Sequence, residues 1–319
     1  MKFLPSTVSF LLTMGSVRAL KWETSAYSPV EMVVSAHFLA TDAGKRILAM
    51  GGTVVDAMVA VQTVLSLVEP QASGIGGGAF CVLYMDGELT TYDAREKAPS
   101  QATENRFVNP DGTNMEWEDA WQSALGVGVP GIPKLMEDLH KMHGKLDWAE
   151  LFVDAKNLAL NGYPQSTRTE TQAADTFTEL NANCTDRLFM RDDTAFEYFF
   201  DTETCTPKPA GTTMTNPDYA ATLDLIAEGG ADAFYTGPLA EAIVQKVAAD
   251  RNPTGDATIS VEDLANYEVV ERPPVCKTYR EKYDVCGMGP PGSGGLAIGQ
   301  VSVWRMDRVD YRIASNSPL

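Results

Sequence analysis

Residues 54–95 read VVDAMVAVQTVLSLVEPQASGIGGGAFCVLYMDGELTTYDAR, and this stretch decides the fold. Over 54–68 apolar residues fall on nearly every face, the mark of a helix buried all round. Glu69-Pro70 stops it, because proline has no amide hydrogen to continue the ladder. A glycine loop follows at 73–78, Ser-Gly-Ile-Gly-Gly-Gly, and then an apolar, strand-like run over 79–85 that holds Cys81 as a core residue. Asp86-Gly87 is a two-residue hairpin signal, since both types tolerate positive φ, and 88–95 reads as the return strand. A buried helix, a glycine loop and a β-hairpin therefore come in quick succession.

Upstream, 42–50 is helical and runs into Gly51-Gly52, a pair suited to the left-handed geometry that ends helices. Downstream, Pro130-Gly131-Ile132-Pro133 opens a helix through His143 that Gly144 closes. Asp147 with Glu150 three residues on reads as a capping-box start, and Asn161-Gly162 ends that helix. Residues 166–214 are polar and irregular, an insertion-like stretch with little core. Asn216-Pro217 caps a helix to Glu228 before Gly229-Gly230, and further helices are expected over 239–249 and from Ser260 with Asp263. The alternating run 275–285 returns to strand and leads into Pro290-Pro291-Gly292-Ser293-Gly294-Gly295.

The 319 residues carry 43 acidic against 25 basic side chains, a net charge of −18, with 44% hydrophobic and 21% charged residues. That composition is globular and excludes a disordered or fibrous chain. Such acidity argues against binding nucleic acid through its phosphates and against docking on anionic lipid, which leaves small molecules or other proteins as partners. Length alone admits two domain-sized units or one large one. Residues 1–19 read as a signal peptide: Lys2, a moderate apolar run broken by Pro5, and small residues up to Ala19. The alternative is an irregular N-terminus. The signal reading places the protein outside the cell or at the plasma membrane.

Cys184 and Cys205 flank a polar segment that a disulfide would close, and Asn183-Cys184-Thr185 fits the N-glycosylation pattern. Cys276 and Cys286 would face each other across a hairpin turning near 280–282, either paired or as two small unpaired hydrophobes. Among His37, His140 and His143, the last two share a helix face but lack a third ligand. They read as surface residues, and no metal is expected. No G-x-S-x-G nucleophile elbow is present. The glycine loop has neither the lysine of a P-loop nor the strand-loop-helix order of a dinucleotide fold, so no cofactor is expected.

A more specific signature runs through the chain. It comprises Gly44-Lys45-Arg46-Ile47-Leu48, Gly51 to Ala57, Val68-Glu69-Pro70, the glycine loop and Asp93-Ala94-Arg95-Glu96-Lys97-Ala98-Pro99. It continues in Gly128-Val129-Pro130-Gly131, Gly144 to Phe152, 220–230, Asp263-Leu264-Ala265-Asn266-Tyr267 and Pro290-Pro291-Gly292-Ser293-Gly294-Gly295. In these motifs and their order the chain closely resembles the γ-glutamyltranspeptidases (glutathione hydrolases), specifically their N-terminal large-subunit part, over 31–300. Residues 301–319 read as a divergent tail.

The resemblance implies an α+β fold, the N-terminal nucleophile hydrolase αββα sandwich, present here without its C-terminal catalytic part. It implies cleavage of the γ-glutamyl amide of glutathione and its conjugates through a threonine acyl-enzyme, with transfer to water, amino acids or dipeptides. The family's Thr-Thr-His-like nucleophile segment lies beyond this chain. Thr212-Thr213 does not replace it, because Met214-Thr215-Asn216-Pro217 follows. Hence no catalytic residue is expected in the chain, which reads as a truncated and inactive product whose missing small-subunit part is its partner. Arg95 would hold the α-carboxylate of the γ-glutamyl group through its bidentate guanidinium fork, and Glu96 would orient the local loop. The alternative is a non-catalytic fragment acting as a binding or regulatory partner.

Overall fold

The structure is a computed structural model that describes residues 27–72, 74–179 and 192–306. The chain divides into two units, Met1–Met32 and Val33–Leu319. Of the first, only 27–32 are described; there Ser28 Oγ accepts the backbone N–H groups of Val30 and Glu31. The signal-like residues 1–19, Asn183, Cys184 with its expected bond to Cys205, and 307–319 of the tail lie outside the described residues.

The second unit is mixed α+β, the class that the resemblance implies. It opens with α1 (Phe38–Ala49), α2 (Val54–Val68), the hairpin β1 (Ala79–Met85) and β2 (Glu88–Ala94), and then α3 (Trp117–Trp121) and α4 (Ile132–His143). α5 (Val153–Asn161), β3 (Tyr163–Pro164), α6 (Thr167–Glu179), α7 (Asp193–Phe199), β4 (Thr213–Met214) and α8 (Pro217–Gly229) follow. Last come α9 (Asp232–Tyr235), α10 (Gly237–Ala248), α11 (Val261–Ala265), β5 (Val270–Arg272), the hairpin β6 (Val275–Tyr279) and β7 (Tyr283–Gly287), and α12 (Gly294–Met306).

Helix α2 is the centre of the core, as its uniform apolarity requires. Val59, Ala60 and Val64 are fully buried and join one cluster with Ile47 of α1, Leu151, Phe152, and Leu223 and Ile226 of α8. Its two buried hydroxyls are satisfied within the helix, Thr63 by the Ala60 carbonyl and Ser66 by the Gln62 carbonyl. The start is a reciprocal capping box: Thr53 Oγ1 accepts the Asp56 N–H, and Asp56 Oδ2 accepts the Thr53 N–H at 2.7 Å.

Asp56 does more than cap. Its carboxylate is wholly buried and also accepts the backbone N–H groups of Lys145 and Leu146, at 3.0 and 3.3 Å to Oδ2. His140 Nε2 lies 3.5 Å from Asp56 Oδ1 and 2.9 Å from the Leu146 carbonyl, and the ring packs on Trp148 at 5.0 Å. His140 is therefore not the surface residue expected from its place on a helix face, because the 144–148 loop folds back over it.

Two more expectations are corrected, and one left open is decided. Asp147 makes no side-chain cap; residues 148–152 form a 3-10 turn before α5, and Glu150 turns instead to Arg46 of α1 at 2.6 Å. The stretch 166–214 contains α6 and α7, and Ala173, Phe196, Phe200 and Cys205 bury a small cluster of their own. Cys276 and Cys286 sit directly opposite in the β6–β7 ladder and form a disulfide, which settles the two readings left open. Cys81 is a free, half-buried thiol, and burial pushes its pKa up.

β1, β2 and β5 form an antiparallel sheet in that order. The Asp86-Gly87 turn, with φ of 53° and 86°, sets the register from Met85↔Glu88 to Ala79↔Ala94. Tyr92 and Ala94 pack inward with Leu83 against Leu135 and Leu139 of α4. Thr91 and Asp93 point to the other face, because side chains alternate along a strand.

Two carboxylates that accept several backbone amides, Asp56 and Asp263, give testable predictions. Asp56→Ala leaves the amides of Thr53, Lys145 and Leu146 without their acceptor, and a loss of about 3 kcal/mol is expected; a chemical denaturation curve with an unshifted midpoint would contradict it. Asp263 accepts the Ser100 N–H, the Ser260 N–H and the Ser260 hydroxyl. Burial alone would raise its pKa, but these donors outweigh burial and hold it below the ordinary value. A depressed folded pKa contributes stability above the unfolded value, and that contribution is lost as the pH falls through the folded one. Melting temperature followed into acid should thus fall less steeply in Asp263→Asn than in the parent chain.

Candidate active site at the end of strand β2

The hairpin register builds the site. Because Ala79 pairs with Ala94, the glycine loop entering β1 emerges beside Arg95 and Glu96 leaving β2. The backbones approach so closely that a Cβ on Gly78 would lie 2.7 Å from the Ala94 carbonyl and 2.9 Å from Arg95 Cα. Gly131, just before α4, closes on the same point: a Cβ there would stand 2.0 Å from the Ala94 carbonyl and 2.3 Å from Tyr267 Oη. The Gly131 and Ile132 N–H groups donate to the Gly77 carbonyl at 2.9 and 3.2 Å. Glycine is required at both positions because backbone packs on backbone there.

Arg95 is exposed, one residue past the ladder, and its backbone is held on both sides. Its N–H donates to Asp93 Oδ1 at 3.0 Å, and its carbonyl accepts the Tyr267 hydroxyl at 2.9 Å. Asp93 is only 8% exposed, and its second oxygen takes Arg272 Nε at 2.8 Å. That pairing is diagonal across the β2–β5 ladder, since Arg272 sits opposite Thr91 on the same face.

Tyr267 stacks on Tyr235 at 5.8 Å, and the Tyr235 hydroxyl donates to the Pro130 carbonyl. Lys97 Nζ lies over the Tyr267 ring at 4.8 Å. Burial, with Asp93 and Glu96 nearby, raises the Tyr267 pKa well above its usual value, so the phenol stays a donor.

Charge pairing singles out Arg95. Among the described residues Arg46, Arg106, Arg168, Arg251 and Arg272 each face a carboxylate, and Arg280 lies over the Tyr279 ring. The Arg95 guanidinium has neither a carboxylate nor a ring partner among the described residues. An unneutralised fork on a fixed backbone in so acidic a chain is suited to an incoming carboxylate.

Glu96 rests against the glycine loop, its carboxylate 2.8 Å from where a Gly78 Cβ would be. With Gln62, Pro70, Ile132 and the loop glycines it lines a hollow of about 520 Å³, which Arg95 adjoins but does not line. A larger hollow of about 610 Å³, between the end of α2, α7 and the start of α8, contains neither Arg95 nor Glu96. Among the described residues no three His, Cys, Asp or Glu side chains gather to hold a metal. Sequence reasoning quoted Asp93 and Tyr267 in motifs without giving them roles. Asp93, two residues before Arg95, was within reach of a local reading; Tyr267, 172 residues away, was not.

Comparison with known proteins identifies the family. The family description Gamma-glutamyltranspeptidase matches residues 40–316. Glutathione hydrolase proenzyme of Bacillus subtilis is 31% identical over 85% of this chain and 43% of its own length. The Escherichia coli protein of the same name is 33% identical over 88% of this chain and 46% of its own. The chain thus spans less than half the length of these curated relatives. The crystal structure of Helicobacter pylori gamma-glutamyltranspeptidase superposes with a TM-score of 0.79 at 33% identity, covering 92% of this chain and 79% of that one. By the match over residues 40–316, this chain belongs to the gamma-glutamyltranspeptidase family.

Proposed function

We propose that this chain carries the carboxylate-recognition part of a γ-glutamyltransferase or glutathione hydrolase, with Arg95 binding the α-carboxylate of the γ-glutamyl group. The observation that carries this reading is the unpaired Arg95 guanidinium on a backbone fixed by Asp93 and Tyr267. A planar fork engages both carboxylate oxygens at once, which fixes the direction of the substrate as well as its end. The hollow beside Glu96, walled by glycine backbone, is the space into which the rest of a γ-glutamyl compound such as glutathione would extend.

In this reading the scissile amide is attacked by a threonine, and the acyl-enzyme passes its γ-glutamyl group to water, an amino acid or a dipeptide. No threonine of this chain is assigned that role; the nucleophile belongs to the small-subunit part of the same precursor. Arg95 contributes by binding and orientation, holding the distal end of the substrate so that its amide is presented in one pose. The signal-like residues 1–19 add the proposal that the protein works outside the cytosol.

The test uses enzyme assembled from this chain and its threonine-bearing part, assayed on a γ-glutamyl anilide. Arg95→Ala should raise KM by at least about 30-fold, the scale of a lost charged hydrogen-bond pair. Arg95→Lys should recover part of this, because a point charge replaces the fork. An unchanged KM in Arg95→Ala would overturn the assignment.

A further inference from the structure

The Arg95 backbone is held by side chains rather than by the sheet. β2 ends at Ala94, so the N–H and C=O of Arg95 have no ladder partner. Asp93 Oδ1 accepts the N–H at 3.0 Å, and the Tyr267 hydroxyl donates to the C=O at 2.9 Å. Both peptide planes flanking the Arg95 Cα are thereby fixed, and only side-chain torsions remain free.

We propose that Asp93 and Tyr267 are positioning residues that aim the Arg95 guanidinium at the substrate carboxylate, with Arg272 as the counter-ion that keeps Asp93 in place. The proposal rests on the carboxylate-binding reading of Arg95 and deepens it. Each partner is itself held from outside β2. Asp93 is gripped by Arg272 of β5 at 2.8 Å. Tyr267 is wedged between Gly131 and the Tyr235 ring, and Tyr235 is tied to the start of α4 through the Pro130 carbonyl. The position of Arg95 is thus set by groups from β5, from the loop after α11 and from the entry to α4, so it cannot drift with the strand end alone.

Arg272 has a second consequence. Asp93 stands two residues before Arg95, on a strand end where the two side chains would otherwise attract one another. With one Asp93 oxygen on Arg272 and the other on the Arg95 amide, both are engaged, and the Arg95 charge is left for the ligand. A buried carboxylate paired and hydrogen-bonded on both oxygens gains little from a further partner.

The experiment is a set of mutant cycles in the assembled enzyme, reading KM and kcat for a γ-glutamyl anilide. Tyr267→Phe removes one oxygen and keeps the ring stack; Asp93→Asn keeps the shape and removes the charge. Each should raise KM by about tenfold, the scale of one hydrogen bond, with kcat within about twofold of the parent. In an Arg95→Ala background both substitutions should lose that effect, because the residue they aim is gone. The same KM factor in both backgrounds, a fall in kcat at constant KM, or no change from Tyr267→Phe would overturn the proposal. If Asp93→Asn fails to fold, Tyr267→Phe decides alone. Failure of the underlying reading has a different signature: Arg95→Ala would itself leave KM unchanged.

Discussion

The close approach of three backbone segments at the Ala94 carbonyl is the constraint on which the site depends. Gly78 and Gly131 both press on that oxygen, with room for a Cβ at neither. Their contact joins the glycine loop, the end of β2 and the entry to α4, and the Gly77 carbonyl completes it by accepting two amides from that entry. Arg95 is the next residue after Ala94, so its place in space follows from this junction. A side chain at either glycine would push apart the layers that bring Tyr267 and Glu96 to the same edge.

Around the junction, buried charge is matched with care. Asp56 is surrounded by amides and an imidazole, Arg106 meets Asp256, Glu137 accepts the Ala231 amide and the Lys141 ammonium, and Asp93 meets Arg272. Each arrangement avoids the cost of an uncompensated charge in a low-dielectric interior. Arg95 departs from this rule, and it does so at the surface, where an open cation is cheap. The chain as a whole carries a net charge of −18 and so repels anions at long range. A carboxylate bound at Arg95, as proposed, would be held by short, directional hydrogen bonds rather than drawn in by steering.

Much of this was legible in order along the chain. The bounds of α2 and of β1 were read directly, because a helix buried all round and a hairpin turned by Asp86-Gly87 each have a strong local pattern. The Ser260 cap with Asp263 was likewise read correctly. The similar pattern at Asp147 and Glu150 misled, because Arg46, over a hundred residues earlier in the chain, takes the Glu150 carboxylate instead. A charged partner brought in by helix packing outcompetes a local backbone amide. For the same reason His140 was misplaced, since its neighbour Asp56 belongs to another helix. The polar stretch 166–214 hid two helices because their satellite cluster draws Ala173, Phe196, Phe200 and Cys205 from separated segments, and α7 is only seven residues long.

The sequence by itself determined the elements, the turns, the glycines and the motif order that marks the family, because these follow from steric limits on φ and ψ and from side-chain periods of a few residues. It also pointed to Arg95. Only the tertiary structure decided which carboxylates are spent on which cations, and hence that Arg95 is left open while Arg272 is not. It alone showed Tyr267 closing on the Arg95 carbonyl. Pairings across such separations depend on how helices and sheet pack together, and no local pattern of residues encodes that.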